Sequence, residues 1–251
     1  MKAESEHIAY VLHKRPFRET SVLVDLFCKE QGRVRAVARG ARSKHGAKRL
    51  YLEPFTPLMV AWGGRSELKT LVRSESAAQT TASLSGSILY VGLYINELLM
   101  RLLAEGDAHE YLFQKYTDLL EGLANSSLGS GSNLETLLRV FELILLEEIG
   151  YALPLDTDSG DGSPVDTETW YRLMPGEGLV RADQYPGSAR NELFFGAHLL
   201  AMTAVDYQDP EVRQCAKRLL RLALSNQLGG KPLRSREFFE SYAKQTIRST
   251  S

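Results

Sequence analysis

The feature that most constrains the fold is a change of hydrophobic period near Ala78, from recurrence at every second position before it to recurrence at every third or fourth after it. A chain patterned this way builds a strand part followed by a helical part. From His7 onward the period-two runs are short and bounded by Gly, Pro or charged turns. Ile8, Tyr10 and Leu12 alternate with Ala9, Val11 and His13, and Val22, Val24 and Leu26 alternate with Ser21, Leu23 and Asp25. After Gln31-Gly32, alternation turns Val34, Ala36 and Ala38 inward and sets Arg33, Arg35 and Arg39 together on an outward face. Phe55 to Trp62 and Glu67 to Ser74 are joined through Gly63-Gly64, a pair that accepts the positive φ of a tight hairpin, while Pro54 and Pro57 mark the start of the fourth run. Five short strands are too few for a sandwich and predict a small barrel, with the five-stranded OB-fold ahead of an SH3-like barrel.

The helical part begins with Ile88–Ala104, dense enough in Leu and Ile for a buried helix. Asp107 and Glu110 form a capping pair for a second helix to about Leu123; a third runs from Leu134 to Ile149, with Asn133 as N-cap and Gly150 as stop. Residues 151–193 lose periodicity and read as a loop-rich excursion, with DTDSGDGSPVD as its most turn-like stretch. Asp209-Pro210-Glu211 is a strong start for a helix to about Gln227, on which Arg213, Lys217 and Arg221 form a stripe. A glycine stop and the basic turn Lys231 to Arg236 then lead to a last helix, capped by Ser235 and holding Phe238, Phe239 and Tyr242. The expected organisation is therefore α+β and multidomain: a barrel over residues 1–80, then an all-α domain over 81–251 interrupted by the excursion.

The formal charge of −1 conceals a segregation. Residues 1–80 carry 15 Lys and Arg against 8 Asp and Glu, residues 81–211 carry 6 against 21, and residues 212–251 carry 9 against 2. Basic ends around an acidic middle point to a polyanion as partner of the ends. One long acid-free stretch, Gln31 to Leu52, holds Arg33, Arg35, Arg39, Arg42, Lys44, Lys48 and Arg49. Phe17, Phe27, Tyr51 and Phe55 lie nearby as bases' stacking partners, although packing of the barrel is the plainer role for Phe27 and Phe55.

Catalytic patterns are missing. The five histidines show neither His-x-x-x-His nor His-x-Glu, no Gly-x-Ser-x-Gly elbow occurs, and Gly229-Gly230-Lys231 follows a helix and lacks the earlier glycine of a phosphate loop. Asp156, Asp158, Asp161 and Asp166 lack the spacing of a calcium loop. Cys28 and Cys215 stand far apart with no Cys-x-x-Cys, which argues against a disulfide framework or a zinc ribbon and for two buried thiols. No apolar run is long enough to span a membrane and the N-terminus lacks a signal-peptide pattern, so a cytoplasmic protein is expected.

The runs AYVLHKRPFRETSVLVDLF, GRVRAVARGARSK, PFTPL, GGRSELKTL, LYVGLYINELLMRLL, RVFELILLEEIGY and LGGKPLRSREFF, in this order, resemble the bacterial RecO recombination mediators. The resemblance implies an OB-fold on a helical domain, no substrate turnover, and a nucleoid-associated role in DNA repair and recombination. It implies binding of single- and double-stranded DNA, annealing of complementary strands, contact with the acidic C-terminal tail of single-stranded DNA-binding protein, and work with RecR to load RecA. Basic family motifs are matched by Arg33, Arg35, Arg39, Arg42 and Lys44 and by Lys231, Arg234 and Arg236. For the acidic tail, which needs a cation beside an apolar groove, Arg139 with Leu138 and Phe141 is the candidate; pairing of Arg139 with Glu135 or Glu142 on its own helix is the alternative. Many relatives carry a four-cysteine zinc site in the excursion; this chain has no cysteine there, so no metal or other cofactor is expected. A protein-interaction scaffold with little affinity for DNA is the competing reading.

Overall fold

In the computed structural model, residues 5–42, 50–64, 67–77, 84–125, 131–184 and 192–238 are described. Five strands close a barrel: β1 (Glu6–Phe17), β2 (Ser21–Cys28), β3 (Gly32–Ala38), β4 (Leu58–Gly63) and β5 (Lys69–Ser76). The order is β1-β2-β3-β5-β4, with β4 returning to β1 and β3 running parallel to β5, the Greek-key closure of an OB-fold. β1 is long enough to serve two neighbours, β4 through Glu6–Ala9 and β2 through Ala9–Phe17, and bends at an irregularity between Val11 and His13. Ala9, Val11, Val24, Leu26, Val34, Ala36, Leu58 and Val60 fill the interior. The opposite faces of β1 and β2 are buried as well: Tyr10 and Phe27 meet Phe113 and Tyr116 of a helix, so these strands read as continuous apolar runs.

Those aromatic contacts explain why the compact units do not follow the break expected at residue 80. One unit is Met1–Ala124 with Leu233–Ser251, the other Asn125–Pro232. Helices α1 (Gly86–Leu102) and α2 (Glu110–Asn125) cover the barrel. Asn96 on α1 donates to the carbonyls of Val11 and Leu12, at the bend of β1, and accepts from the Tyr116 hydroxyl at 2.7 Å. A buried amide thus satisfies the carbonyls at the ladder's irregularity. α2 starts at Glu110, so the capping pair expected from Asp107 does not form at its N-terminus. Gly32 has φ +60°, and a Cβ there would overlap the Asp107 carbonyl, so only glycine lets the loop after α1 lie against the start of β3.

The second unit contains α3 (Gly131–Glu148), β6 (Trp170–Met174), β7 (Gly178–Arg181), β8 (Leu193–Phe195), α4 (Gly196–Thr203) and α5 (Pro210–Gln227). Within the excursion that reads as loop lies a three-stranded antiparallel sheet, β7-β6-β8. Its acids are turn-formers: Asp158, Asp161 and Asp166 accept from the backbone N–H groups of Gly160, Ser163 and Glu168. α3 begins before Asn133, which is therefore not its N-cap, and stops at Gly150 (φ +82°), where Gly150 and Tyr151 donate back to Glu147 and Leu146. Asp209 caps α5 as its sequence indicates, accepting from Glu211 N–H at 2.7 Å. No helix among the described residues is long and apolar enough to cross a membrane.

Candidate nucleic-acid interface

The turn after β1 carries Arg18 at φ +53°, the turn after β3 carries Arg39 and Gly40, and β5 begins at Lys69. Barrel closure brings these three places to one rim, around an open groove of about 780 Å³. Phe17, Arg18, Thr20, Arg39, Leu68 and Lys69 line it, with Glu19 as its acid. The Arg18 guanidinium lies 5.3 Å from the centre of the Phe17 ring. Among the described residues no carboxylate pairs with Arg39, Arg42 or Lys69, and Arg39 and Arg42 are exposed. The backbone N–H of Arg42 donates to Thr20, which ties the acid-free stretch to the same rim. This is the loop end of the barrel, where OB-folds take oligonucleotides.

The three outward arginines of β3 do not share one fate. Arg33 is almost covered: Nη1 lies 3.4 Å from Asp25, Nη2 3.4 Å from Glu105, and Nε donates to the Leu103 carbonyl at 3.1 Å. Arg35 meets the same two acids, Glu105 at 2.8 Å and Asp25 at 3.4 Å. Two cations expected on a free surface are thus held by a cross-strand acid and by one 70 or more positions away; only Arg39 stands free of such partners. Lys44, Lys48 and Arg49 lie outside the described residues. Arg18 and Lys69 were not singled out by the sequence, because the closure that gathers them is invisible in local pattern.

The candidate aromatics separate too. Phe27 and Phe55 are buried, Tyr51 packs on the barrel core, and Phe17 alone of the four lines the groove. In the C-terminal basic segment, Lys231 falls in the second unit and Arg234 and Arg236 in the first. Residues 234–238 are helical, so Ser235 lies inside the helix and is not its cap. Glu97 of α1 does that work, accepting from Arg234 N–H at 3.0 Å and from Ser235 N–H and Oγ at 2.9 and 2.8 Å. Burial alone would raise the Glu97 carboxyl pKa; the three donors and Arg101 outweigh it and pull the value below the ordinary range. Arg236 lies over the Tyr94 ring, and Phe239 and Tyr242 fall outside the described residues.

Arg139 takes the alternative course named from its spacing. It is 8 % exposed, and its Nη1 lies 2.5 Å from the fully buried Glu142 one turn along α3. Phe141 is buried in the core and Leu138 is half-buried. Arg139 therefore offers no free cation beside an apolar groove: the groove on α3, lined by Val140, Leu143, Ile144 and Met202, has Glu147 and Asp156 as its charged members. On α5, Arg213 is tied to the Tyr207 and Gln208 carbonyls, which leaves Lys217 and Arg221 as the exposed members of its stripe.

Cys28 and Cys215 are both buried, and burial pushes both thiols up, Cys215 to about 11. Among the described residues no group of three His, Cys, Asp or Glu is placed to hold a metal ion.

Comparison with known proteins settles the kinship. Residues 1–80 match the family model described as Recombination protein O N terminal, and residues 84–237 match Recombination protein O C terminal. The chain belongs to the RecO family. The DNA repair protein RecO of Haemophilus influenzae is 44% identical over 230 residues, covering 92% of this chain and 93% of the relative. RecO of Stutzerimonas stutzeri is 48% identical over 232 residues, with 92% of each chain covered. RecO of Escherichia coli is 43% identical over 242 residues, with 96% of each covered. The two RecO models meet between residues 80 and 84, where the hydrophobic period changes, whereas the compact units part near residue 124.

Proposed function

We propose that this RecO-family chain acts in DNA repair and recombination as a mediator without turnover, one that holds single-stranded DNA in the rim groove of its barrel. The observation that carries this reading is the convergence of Arg18, Arg39 and Lys69 with Phe17 around an open groove at the loop end of the barrel. Such a groove suits a flexible strand: cations take phosphates without regard to sequence, and a ring face takes a base. Duplex binding, annealing of complementary strands, contact with the tail of single-stranded DNA-binding protein and, with RecR, loading of RecA belong to the same reading and are supported by family membership. Arg42 extends the rim, and Lys44, Lys48, Arg49, Lys231, Arg234 and Arg236 are the further cations assigned to phosphates.

The test is anisotropy of a labelled single-stranded oligonucleotide at several salt concentrations. Each phosphate contact contributes about −0.7 to the log–log slope; a steep slope that flattens on charge reversal of Arg39 and Lys69 supports the reading, and weak, salt-insensitive binding refutes it. The tail contact at Arg139 and Leu138 requires a tail carboxylate to replace Glu142 on the guanidinium, so Glu142→Gln should tighten binding of an acidic tail peptide. Unchanged peptide affinity would place that contact elsewhere.

One observation favours the scaffold as a second reading: Asp25 and Glu105 already neutralise two of the arginines on which DNA affinity was expected. It predicts partner binding with no salt-sensitive affinity for bare strands.

A further inference from the structure

Beside the rim groove lies a second one of about 540 Å³, lined by Arg33, Arg35, Trp62, Glu67, Lys69 and Glu105. Lys69 borders both, so a strand leaving the rim past Lys69 enters this second groove directly. Here the cations are matched by acids, which a simple count would score as no site at all.

The four charged groups of the network beneath it, Asp25, Arg33, Arg35 and Glu105, are not equivalent. Asp25 is buried opposite Arg35 in the β2–β3 ladder and cannot leave without unpacking the sheet. Arg33 is pinned by Asp25 and by the Leu103 carbonyl. Glu105, by contrast, lies beyond the end of α1 with its side chain 33% exposed, and its partner Arg35 is 41% exposed. Their 2.8 Å contact is the one ion pair of this set that solvent and solute can reach at both ends. An exposed pair of this kind contributes little to stability, so exchanging its carboxylate for another oxyanion costs little. A phosphodiester offers the same pair of oxygens to a guanidinium.

The wall of the groove supplies the other half of a nucleotide. Trp62 stands half-buried on β4, with His7 stacked on its indole at 4.5 Å and 14° between planes, and the indole also lines the groove. A ring braced on one side by another ring is a rigid stacking platform.

We propose that this second groove is a nucleotide subsite of the single-strand path, in which Trp62 stacks a base and Glu105 holds the place of a phosphate on Arg35 until the strand displaces it. The inference rests on the proposed single-strand binding and adds to it a stacking residue and an internal competitor. Glu105 thereby sets a threshold: a strand engages Arg35 only when its other contacts already hold it, which favours long strands over short anionic ligands.

The chain's only other tryptophan is Trp170, so Trp170→Phe leaves Trp62 as the single indole reporter. In that background, titration with oligothymidylate, followed at once by anisotropy and by indole fluorescence, separates the two proposals. Quenching of Trp62 in step with the anisotropy change supports the subsite; anisotropy change with no quenching overturns it while leaving single-strand binding intact; neither change overturns both. Glu105→Gln releases Arg35 and removes the 3.4 Å contact to Arg33 as well, and should bind the strand about two- to fivefold tighter. Glu67→Gln removes the same charge from the same groove, frees no guanidinium among the described residues, and serves as the control. An equal gain in both variants, or none in Glu105→Gln when its thermal unfolding matches the parent, contradicts displacement at Arg35.

Discussion

At the start of β3, Arg33 is closed in by Asp25, Glu105 and the Leu103 carbonyl; just past the strand's far end, Arg39 lines an open groove and pairs with no carboxylate among the described residues. Arg39 continues the alternation that turns Arg33 outward, and the two have the same chemistry. The loop after α1 makes the difference, because it is laid along the first of them, through the bond from Gly106 N–H to the Arg33 carbonyl, and stops short of the second. The second unit repeats the closed arrangement in Arg139, held by Glu142, and the open one in Lys217 and Arg221. An arginine's role is thus set by which carboxylate the fold delivers to it, and the cost of removing it differs accordingly.

The largest expected effect is on the most enclosed pair. Arg139→Ala takes the guanidinium from the buried Glu142 carboxylate and should lower stability by about 3–5 kcal/mol in chemical denaturation, whereas replacing both partners by Met and Leu should restore most of it. A double variant as unstable as the single one would mean that the pair does more than fill its site. Arg33→Ala comes next: loss of its bonds to Asp25 and Leu103 should cost about 2–3 kcal/mol, with little change in affinity for single strands. If Arg33→Ala instead left the unfolding midpoint alone and weakened DNA binding, the closed end of β3 would be an open one.

The Glu97 cap is smaller and depends on pH. Because the folded carboxyl value lies below the unfolded value of about 4.3, the cap's contribution is complete above that value and is lost as pH falls through the lower folded one. Amide exchange in residues 234–238 should therefore accelerate in acid in the wild type. Glu97→Gln should show the faster exchange already at neutral pH, at a cost of about 1 kcal/mol. Exchange that is the same in both proteins at neutral pH would remove Glu97 from the cap.

These contrasts also mark what the sequence makes legible. The barrel was readable because alternation in β3 matches a core-facing set, and the ends of α3 and α5 because Gly150 and Asp209 act within a few residues of themselves. The sheet β7-β6-β8 was not, since strands of three to five residues leave no period to detect. α4 has eight residues and no capping side chain at its start, which gives it no boundary signal. Alternation reads the candidate cations of β3 as one row, but their partner Glu105 and the cap of Ser235 by Glu97 join residues 70 to 138 positions apart. Arg18 and Lys69 became neighbours of Arg39 only through barrel closure.

The smallest stability effect belongs to Arg39, where Arg39→Gln should shift unfolding by less than about 0.5 kcal/mol. The same variant carries the most direct test: salt-titrated binding of a short single strand to Arg39→Gln and Arg33→Gln, beside the unfolding midpoint of each. Arg39→Gln should flatten the log–log salt slope by about 0.7 and keep the wild-type midpoint, while Arg33→Gln should keep the slope and lower the midpoint. A slope unchanged by Arg39→Gln, or flattened by Arg33→Gln at an unaltered midpoint, would contradict the division of β3 into a closed end that holds the fold and an open end that meets DNA.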